Sequence, residues 1–300
     1  MNNVKKTFSI RDLENLSGIK AHTIRIWEKR YHLFSPERTT TNIRTYSLKS
    51  LQKLLNITLL YNNGYKISKI ADLSETEIPE TVKEVISKKT VKNHAINSFK
   101  MAMINFDATQ FSSTYNKLLE ESSFRDLFYE VFIPLLNELG ILWQTDTISP
   151  SHEHFITNLI KQKIIINTEK LQSTEPSKTD KTFVLFLPDN EIHDIGLLYL
   201  NYEITLRGYK TIYLGQTIPI ESLKDLMGYC SNVHFISYFT VEPNKNKIHK
   251  YIETFNTKIG ENYDFTLWIL GHQTQFLKEE DLTPHIKKFN SLEKIIKELN

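Results

Sequence analysis

The chain has 300 residues, 40% of them apolar, enough for two or three domains with real cores. Its single cysteine, Cys230, excludes an internal disulfide and a thiolate-rich metal site. No run approaches the ~20 apolar residues of a membrane span, and the segment after Met1 lacks a leader's apolar stretch, so a soluble cytoplasmic protein with no membrane partner is expected. The net charge of +2 conceals an asymmetry. Residues 1–72 hold 13 Lys and Arg against 5 Asp and Glu, and the remainder holds 24 against 30. A basic head on an acidic body suits a nucleic-acid module joined to something else.

In chain order, Ser9 precedes Ile10–Leu16, a short helix with Ser9 as N-cap and Asp12 in its first turn. Ser17-Gly18 ends it, and a second helix runs from Ala21 to Arg30. Two short helices joined by a tight Gly turn suggest a helix-turn-helix. Ile24 and Trp27 supply the apolar side of the second helix, and Thr23, Arg25, Lys29 and Arg30 supply its polar side. The stretch Leu33–Ser47 reads as a hairpin wing, with Arg38, Arg44 and Tyr46 placed to reach phosphates. Helices over Leu48–Tyr61 and Lys66–Ile70 follow, then a linker over Glu75–Pro79. The strings Thr23–Tyr31, Ser35–Arg38 and Arg44–Ser47 closely resemble the winged helix of MerR-type regulators over about 70 residues. The resemblance implies double-stranded operator DNA as partner and adds Tyr31 to the contact set. One departure is Asn42 at the wing turn, where many relatives carry Gly; Asn tolerates positive φ.

Four amphipathic segments come next, Ala95–Ile104, Thr109–Glu121, Phe124–Trp143 and Ser151–Leu171, and suggest a helical bundle. Trp143 ends one helix, and Ser151 is placed to cap the next with Glu153 and His154 in its first turn. Beyond the linker-like Ser173–Asp180, strands over Phe183–Leu187, Thr211–Leu214, Val233–Tyr238, Phe265–Leu270 and His285–Phe289 alternate with helices over Gly196–Leu206, Ile220–Tyr229 and Lys245–Phe255. Leu292–Leu299 closes the chain as a helix. Such alternation implies a doubly wound parallel sheet, whose ligands bind beyond the carboxyl ends of the strands. The run Glu191-Ile-His-Asp-Ile-Gly196 sits there, after the first strand. A His on such a loop can present a ring nitrogen to a metal, and an acid two residues earlier can fix the other nitrogen.

Glu191-x-His193-x-x-Gly196 resembles the corrinoid-binding signature of cobalamin domains, in which the His is the lower axial ligand of cobalt. Tyr213-Leu-Gly215 with Pro219 agrees with that family, and Ser237-Tyr-Phe239 is similar to its Ser-x-Leu element. Gly271-His272 stands where the family has a Gly pair lining the slot for the cofactor's nucleotide tail, and the imidazole takes room that a second Gly leaves. Trp143, then nine residues, then Glu153-His154, resembles the motif of cobalamin-dependent light sensors in the MerR superfamily, the CarH/LitR-like group. There Trp packs on the upper adenosyl group, Glu contacts it, and His replaces it on cobalt after light; His152 competes for that last role here.

The expected architecture is therefore multidomain α and α/β: a winged helix-turn-helix over 1–75, a four-helix bundle cap over 80–172, and a Rossmann-like cobalamin-binding domain over 181–300. The resemblance implies adenosylcobalamin as cofactor, repression, and a dimer or tetramer that changes with light. An alternative is a cofactor-independent regulator whose C-terminal domain serves oligomerisation or an antagonist protein, which His272 would favour. A methyl-transfer enzyme is a remote alternative, because no segment is left for a substrate domain and no catalytic constellation stands out.

Overall fold

The computed structural model describes residues 7–85, 88–145, 147–229, 232–260 and 265–299; Cys230 lies outside them. The chain divides into two units, Met1–Ile160 and Lys161–Asn300, with the boundary inside one helix.

In the first unit, β1 (Thr7–Phe8) leads into α1 (Ile10–Ser17). The Ser9 hydroxyl accepts from the Asp12 amide at 3.1 Å and the Asp12 carboxylate accepts from the Ser9 amide at 2.8 Å. This reciprocal cap satisfies two donors that helix geometry leaves without partners. Gly18, at φ 75°, ends the helix in the left-handed region. After α2 (Ala21–Tyr31) come β2 (Glu37–Arg38) and β3 (Arg44–Ser47), and β3 pairs antiparallel with both β1 and β2. Asn42 does adopt positive φ, at 64°, and its side-chain oxygen accepts from Arg38 Nη1 at 2.7 Å. Helices α3 (Leu48–Asn62) and α4 (Ile67–Ala71) complete a core with buried Leu13, Ile24, Trp27, Leu51 and Leu54.

The stretch 75–79, expected to be a linker, instead opens α5 (Glu77–Val85). Ser74 and Glu77 form another reciprocal cap, at 3.2 and 2.7 Å. Pro79 falls in the first turn, where its missing N–H costs little, and Ile78 and Val82 are buried one turn apart. Next come α6 (Lys88–Asn105), α7 (Ala108–Glu121), α8 (Phe124–Leu127), α9 (Ile133–Gln144) and α10 (Pro150–Gln172). A π-helical turn over Phe128–Phe132 joins α8 to α9, so the expected helix over Phe124–Trp143 is continuous but widened. Pro134 follows at the start of α9 and lacks the N–H of a regular ladder; local widening accommodates such a defect. Phe99, Phe111 and Phe132 pack ring to ring at the bundle centre. The cap of α10 is Ser149, not the expected Ser151. The amides of both His152 and Glu153 reach the Ser149 carbonyl, and Pro150 takes the first helical position that proline favours.

The winged helix and bundle touch directly. Asn15 at the end of α1 donates to Thr147 Oγ1 at 2.8 Å, and buried Lys100 of α6 donates to the Leu16 carbonyl at 3.3 Å while pairing with Glu138.

The second unit holds β4 (Lys178–Phe186), α11 (Ile195–Leu206), β5 (Tyr209–Gly215), α12 (Lys224–Met227), β6 (Val233–Tyr238), α13 (Ile248–Phe255), β7 (Thr266–Leu270), β8 (Ile286–Lys288) and α14 (Leu292–Glu298). The sheet is parallel throughout, in the order β5-β4-β6-β7-β8. Strand order reverses between β4 and β6, which makes the gap between their following loops the expected ligand crevice. β4 begins five residues before Phe183, inside the expected linker, because Lys178 pairs with Tyr209 ahead of an irregularity in the ladder. No helix among the described residues is long and apolar enough to cross a membrane.

Candidate functional site

The loop after β4 carries Glu191 and His193, and the loop after β6 carries Thr240–Glu242. Fully buried Glu191 ties the two together. Its Oε1 accepts from the amides of Ile192 and His193 at 2.9 and 3.0 Å and from His193 Nδ1 at 2.6 Å. Its Oε2 accepts from the amides of Thr240, Val241 and Glu242 at 3.1, 2.6 and 2.9 Å. Burial alone would raise the carboxyl pKa. The bonds from His193 and from the surrounding amides more than reverse that and hold it at about 2. An ionised carboxylate only accepts, so His193 Nδ1 is a donor in this contact. The same two loops each carry an exposed apolar side chain, Ile192 at 52% and Val241 at 50% exposure. Asp194 steadies the loop from its other end, accepting from Gln216 Nε2 at 2.7 Å and pairing with Lys161 at 2.6 Å. Sequence reading anticipated the Glu191–His193 contact. It missed the three amides after β6, because backbone donors leave no mark in a sequence.

Gly196 is the second residue of α11, where a Cβ would lie 2.5 Å from the Tyr238 ring. Gly271, at φ 109°, passes so close to Phe239 that a Cβ would lie 2.5 Å from its carbonyl oxygen. Glycine is therefore required at Gly271, where backbone blocks a side chain, and at Gly196 a Cβ would fit only if the Tyr238 ring moved. Ser237 is buried, and its hydroxyl donates to the Phe186 carbonyl at 2.9 Å across the sheet. The expected slot-lining role places Ser237 at a surface it does not reach here. His272 is exposed, with Nε2 2.8 Å from Gln275 Nε2. It stands at the rim of a cavity of about 690 Å³ beyond the ends of β6 and β7.

In the first unit, Trp143 at the end of α9 is 55% exposed, and so is not a core residue. His154 is exposed in the first turn of α10, with Nε2 3.8 Å from the half-exposed Glu153 carboxylate. His152 is buried instead. Its Nδ1 lies 2.8 Å from Ser149 Oγ and its ring stacks on Phe106 at 4.7 Å. That makes His152 part of the helix cap and leaves His154 as the accessible imidazole.

The basic head presents Arg25, Lys29 and Arg30 exposed along α2, with Thr23 and Tyr31 half-buried beside them. The Arg30 guanidinium lies 5.4 Å from the Tyr31 ring. Arg38 is exposed on the wing. Tyr46 corrects the sequence expectation: it is fully buried, and its hydroxyl donates to Glu28 at 2.9 Å, so it cannot reach a phosphate. Arg44 Nε donates to the other oxygen of the same carboxylate at 2.9 Å, and a third of its side chain stays exposed. Glu28 thus fastens the wing to the recognition helix, a role sequence reading did not assign. Ile26 and Ile43, on α2 and the wing, are exposed apolar residues on the same surface elements.

A family model for the MerR helix-turn-helix regulatory proteins matches residues 8–77, and one for a B12 binding domain matches residues 95–166. The HTH-type transcriptional repressor CarH of Myxococcus xanthus is 26% identical over 225 residues, covering 73% of this chain and 74% of the relative. The HTH-type transcriptional repressor CarA of the same organism is 24% identical over 229 residues, covering 76% and 73%. Among solved structures, the monomethylamine corrinoid protein of Methanosarcina barkeri aligns over 69% of this chain and 97% of its own at a TM-score of 0.55 and 10% identity, a likeness of fold. Residues 8–77 thus match the MerR helix-turn-helix regulatory family and residues 95–166 a B12 binding domain, the two in succession along one chain.

Proposed function

We propose that the chain is a light-responsive transcriptional repressor that binds operator DNA through α2 and its wing and holds adenosylcobalamin through His193. The observation that carries this reading is the His193 imidazole, held through Nδ1 by the buried Glu191 carboxylate at 2.6 Å, an arrangement that would orient Nε2 toward a metal. The residues fit a corrinoid. A single imidazole would be a donor suited to cobalt, and the exposed Ile192 and Val241 would offer apolar contact to a macrocycle. When bound, adenosylcobalamin supplies a cobalt–carbon bond that light can cleave. Trp143 and Glu153 would contact the adenosyl group, and His154 would supply a second imidazole donor for the cobalt. The resemblance to light-sensing relatives supports these roles, as does the exposure of Trp143 and His154. Thr23, Arg25, Lys29, Arg30, Tyr31, Arg38 and Arg44 are assigned to DNA; an assembly of two or four copies would read a symmetric operator.

His193→Ala tests the central assignment. After dark incubation with adenosylcobalamin and desalting, the variant should lose the corrinoid absorbance that the parent retains. Equal retention would show that His193 is not the ligand.

A further inference from the structure

If His193 takes one axial position of cobalt, the base of the cofactor's own nucleotide tail cannot also hold it. The displaced tail then needs a place of its own. The cavity beyond β6 and β7, about 690 Å³, has the volume for it; its lining holds Lys294 to offset a phosphodiester, and Lys288, which lies 3.8 Å from Glu279 of the same lining. The residue that departs from expectation in sequence, His272, lies at the rim of this cavity with its side chain exposed. The bulk lies elsewhere. Three atoms of the Tyr238 ring fall 2.5 to 3.0 Å from where a Cβ of Gly196 would sit, so the ring lies against the bare backbone at the second residue of α11. Gly196 is three residues past His193, and Tyr238 also lines the cavity. The ring therefore touches the His193 loop's helix on one side and the tail's destination on the other.

We propose that Tyr238, and not His272, controls access of the nucleotide tail to this cavity, and so sets the protein's preference between tailed and tail-less corrinoids. The inference rests on the cobalamin reading of His193. The structure shows the ring closed on Gly196; entry of the tail would need a second arrangement, with the ring rotated away. Only the second admits the tail, so the apparent affinity for a tailed corrinoid is reduced by the fraction of molecules with the ring open. A corrinoid without the tail does not meet this cost.

The test uses the full-length protein in the dark, titrated with hydroxocobalamin and with diaquocobinamide, which lacks the nucleotide tail. Binding is followed by the corrinoid absorbance. Tyr238→Ala should bind hydroxocobalamin about tenfold more tightly than the parent, and cobinamide within about twofold of it. Tyr238→Leu, which keeps apolar cover at the same place, should move in the same direction should the alanine variant fold poorly. Tyr238→Phe keeps the ring and should match the parent, and His272→Gly should change neither corrinoid by more than about twofold. A tail-specific gain in His272→Gly without one in the Tyr238 variants would overturn the proposal, as would an equal change for both corrinoids in Tyr238→Ala. Failure of the parent and every variant to bind either corrinoid would instead remove the cobalamin reading, and this inference with it.

Discussion

Tyr46 and His193 show what a single residue reveals in sequence and what it hides. His193 and Glu191 are two positions apart, so their contact follows from local chain geometry and was legible. Tyr46 sits in a basic wing, and an aromatic hydroxyl there reads equally well as a phosphate contact or as core. Its partner, Glu28, is 18 residues away in a different element, a distance no local pattern spans. The two roles separate experimentally. Tyr46→Phe should lower stability by about 1 kcal/mol, the net worth of one hydrogen bond, and leave the salt dependence of operator binding unchanged. Arg25→Ala or Lys29→Ala should weaken binding and flatten the slope of log affinity against log salt by about 1 per lost phosphate contact. Thermal melts and a salt titration of a labelled operator check both; a flattened slope in Tyr46→Phe would return it to the DNA surface. Glu191 is the second residue whose reach exceeded its local pattern. Glu191→Gln would set amide hydrogens against backbone N–H groups, and should cost about 3 kcal/mol or more in unfolding free energy. An unfolding titration showing no loss would mean that the two loops do not depend on the carboxylate.

At the scale of elements, the periodic helices and the strand–helix alternation were readable because burial imposes 3.6- and 2-residue repeats. The departures occur where a cap or a proline decides. The stretch 72–90 looks polar, yet Ser74 with Glu77 nucleates α5 and Pro79 is absorbed in its first turn. Ser151 was the plausible cap by position, but Pro150 can only enter at the first turn, which moves the cap to Ser149. Ser149→Ala removes the hydroxyl's contact with the buried His152 ring and should destabilise the first unit by about 1 kcal/mol, and Ser151→Ala by much less. Equal melting temperatures for the two variants would contradict this. The π-turn before Pro134 has no sequence signature beyond the proline itself, and β4 reaches into a Ser/Thr-rich stretch because strand pairing, unlike composition, is a tertiary property.

For the whole molecule, the charge asymmetry announced a DNA-binding head on a different body, and the family matches agree with that division. Less legible was the contact joining them inside the first unit. Thr147, bonded to Asn15 of α1, lies on the connection between Trp143 and the Glu153-His154 pair. A change at that connection is thus one hydrogen bond from the DNA-binding domain. Asn15→Ala should leave DNA affinity without cofactor nearly unchanged and reduce the difference in affinity between dark and illuminated protein. An undiminished difference would show that the signal passes by another route.

The central claim joins cobalamin, light and assembly, and one measurement tests it most directly: size-exclusion chromatography with full absorbance spectra. The protein is loaded with adenosylcobalamin in the dark, desalted, and run before and after green light. The account predicts a corrinoid spectrum co-eluting with a large dark species that becomes smaller on illumination. A corrinoid-free peak of unchanged size would contradict it and leave a DNA-binding regulator that works without the cofactor.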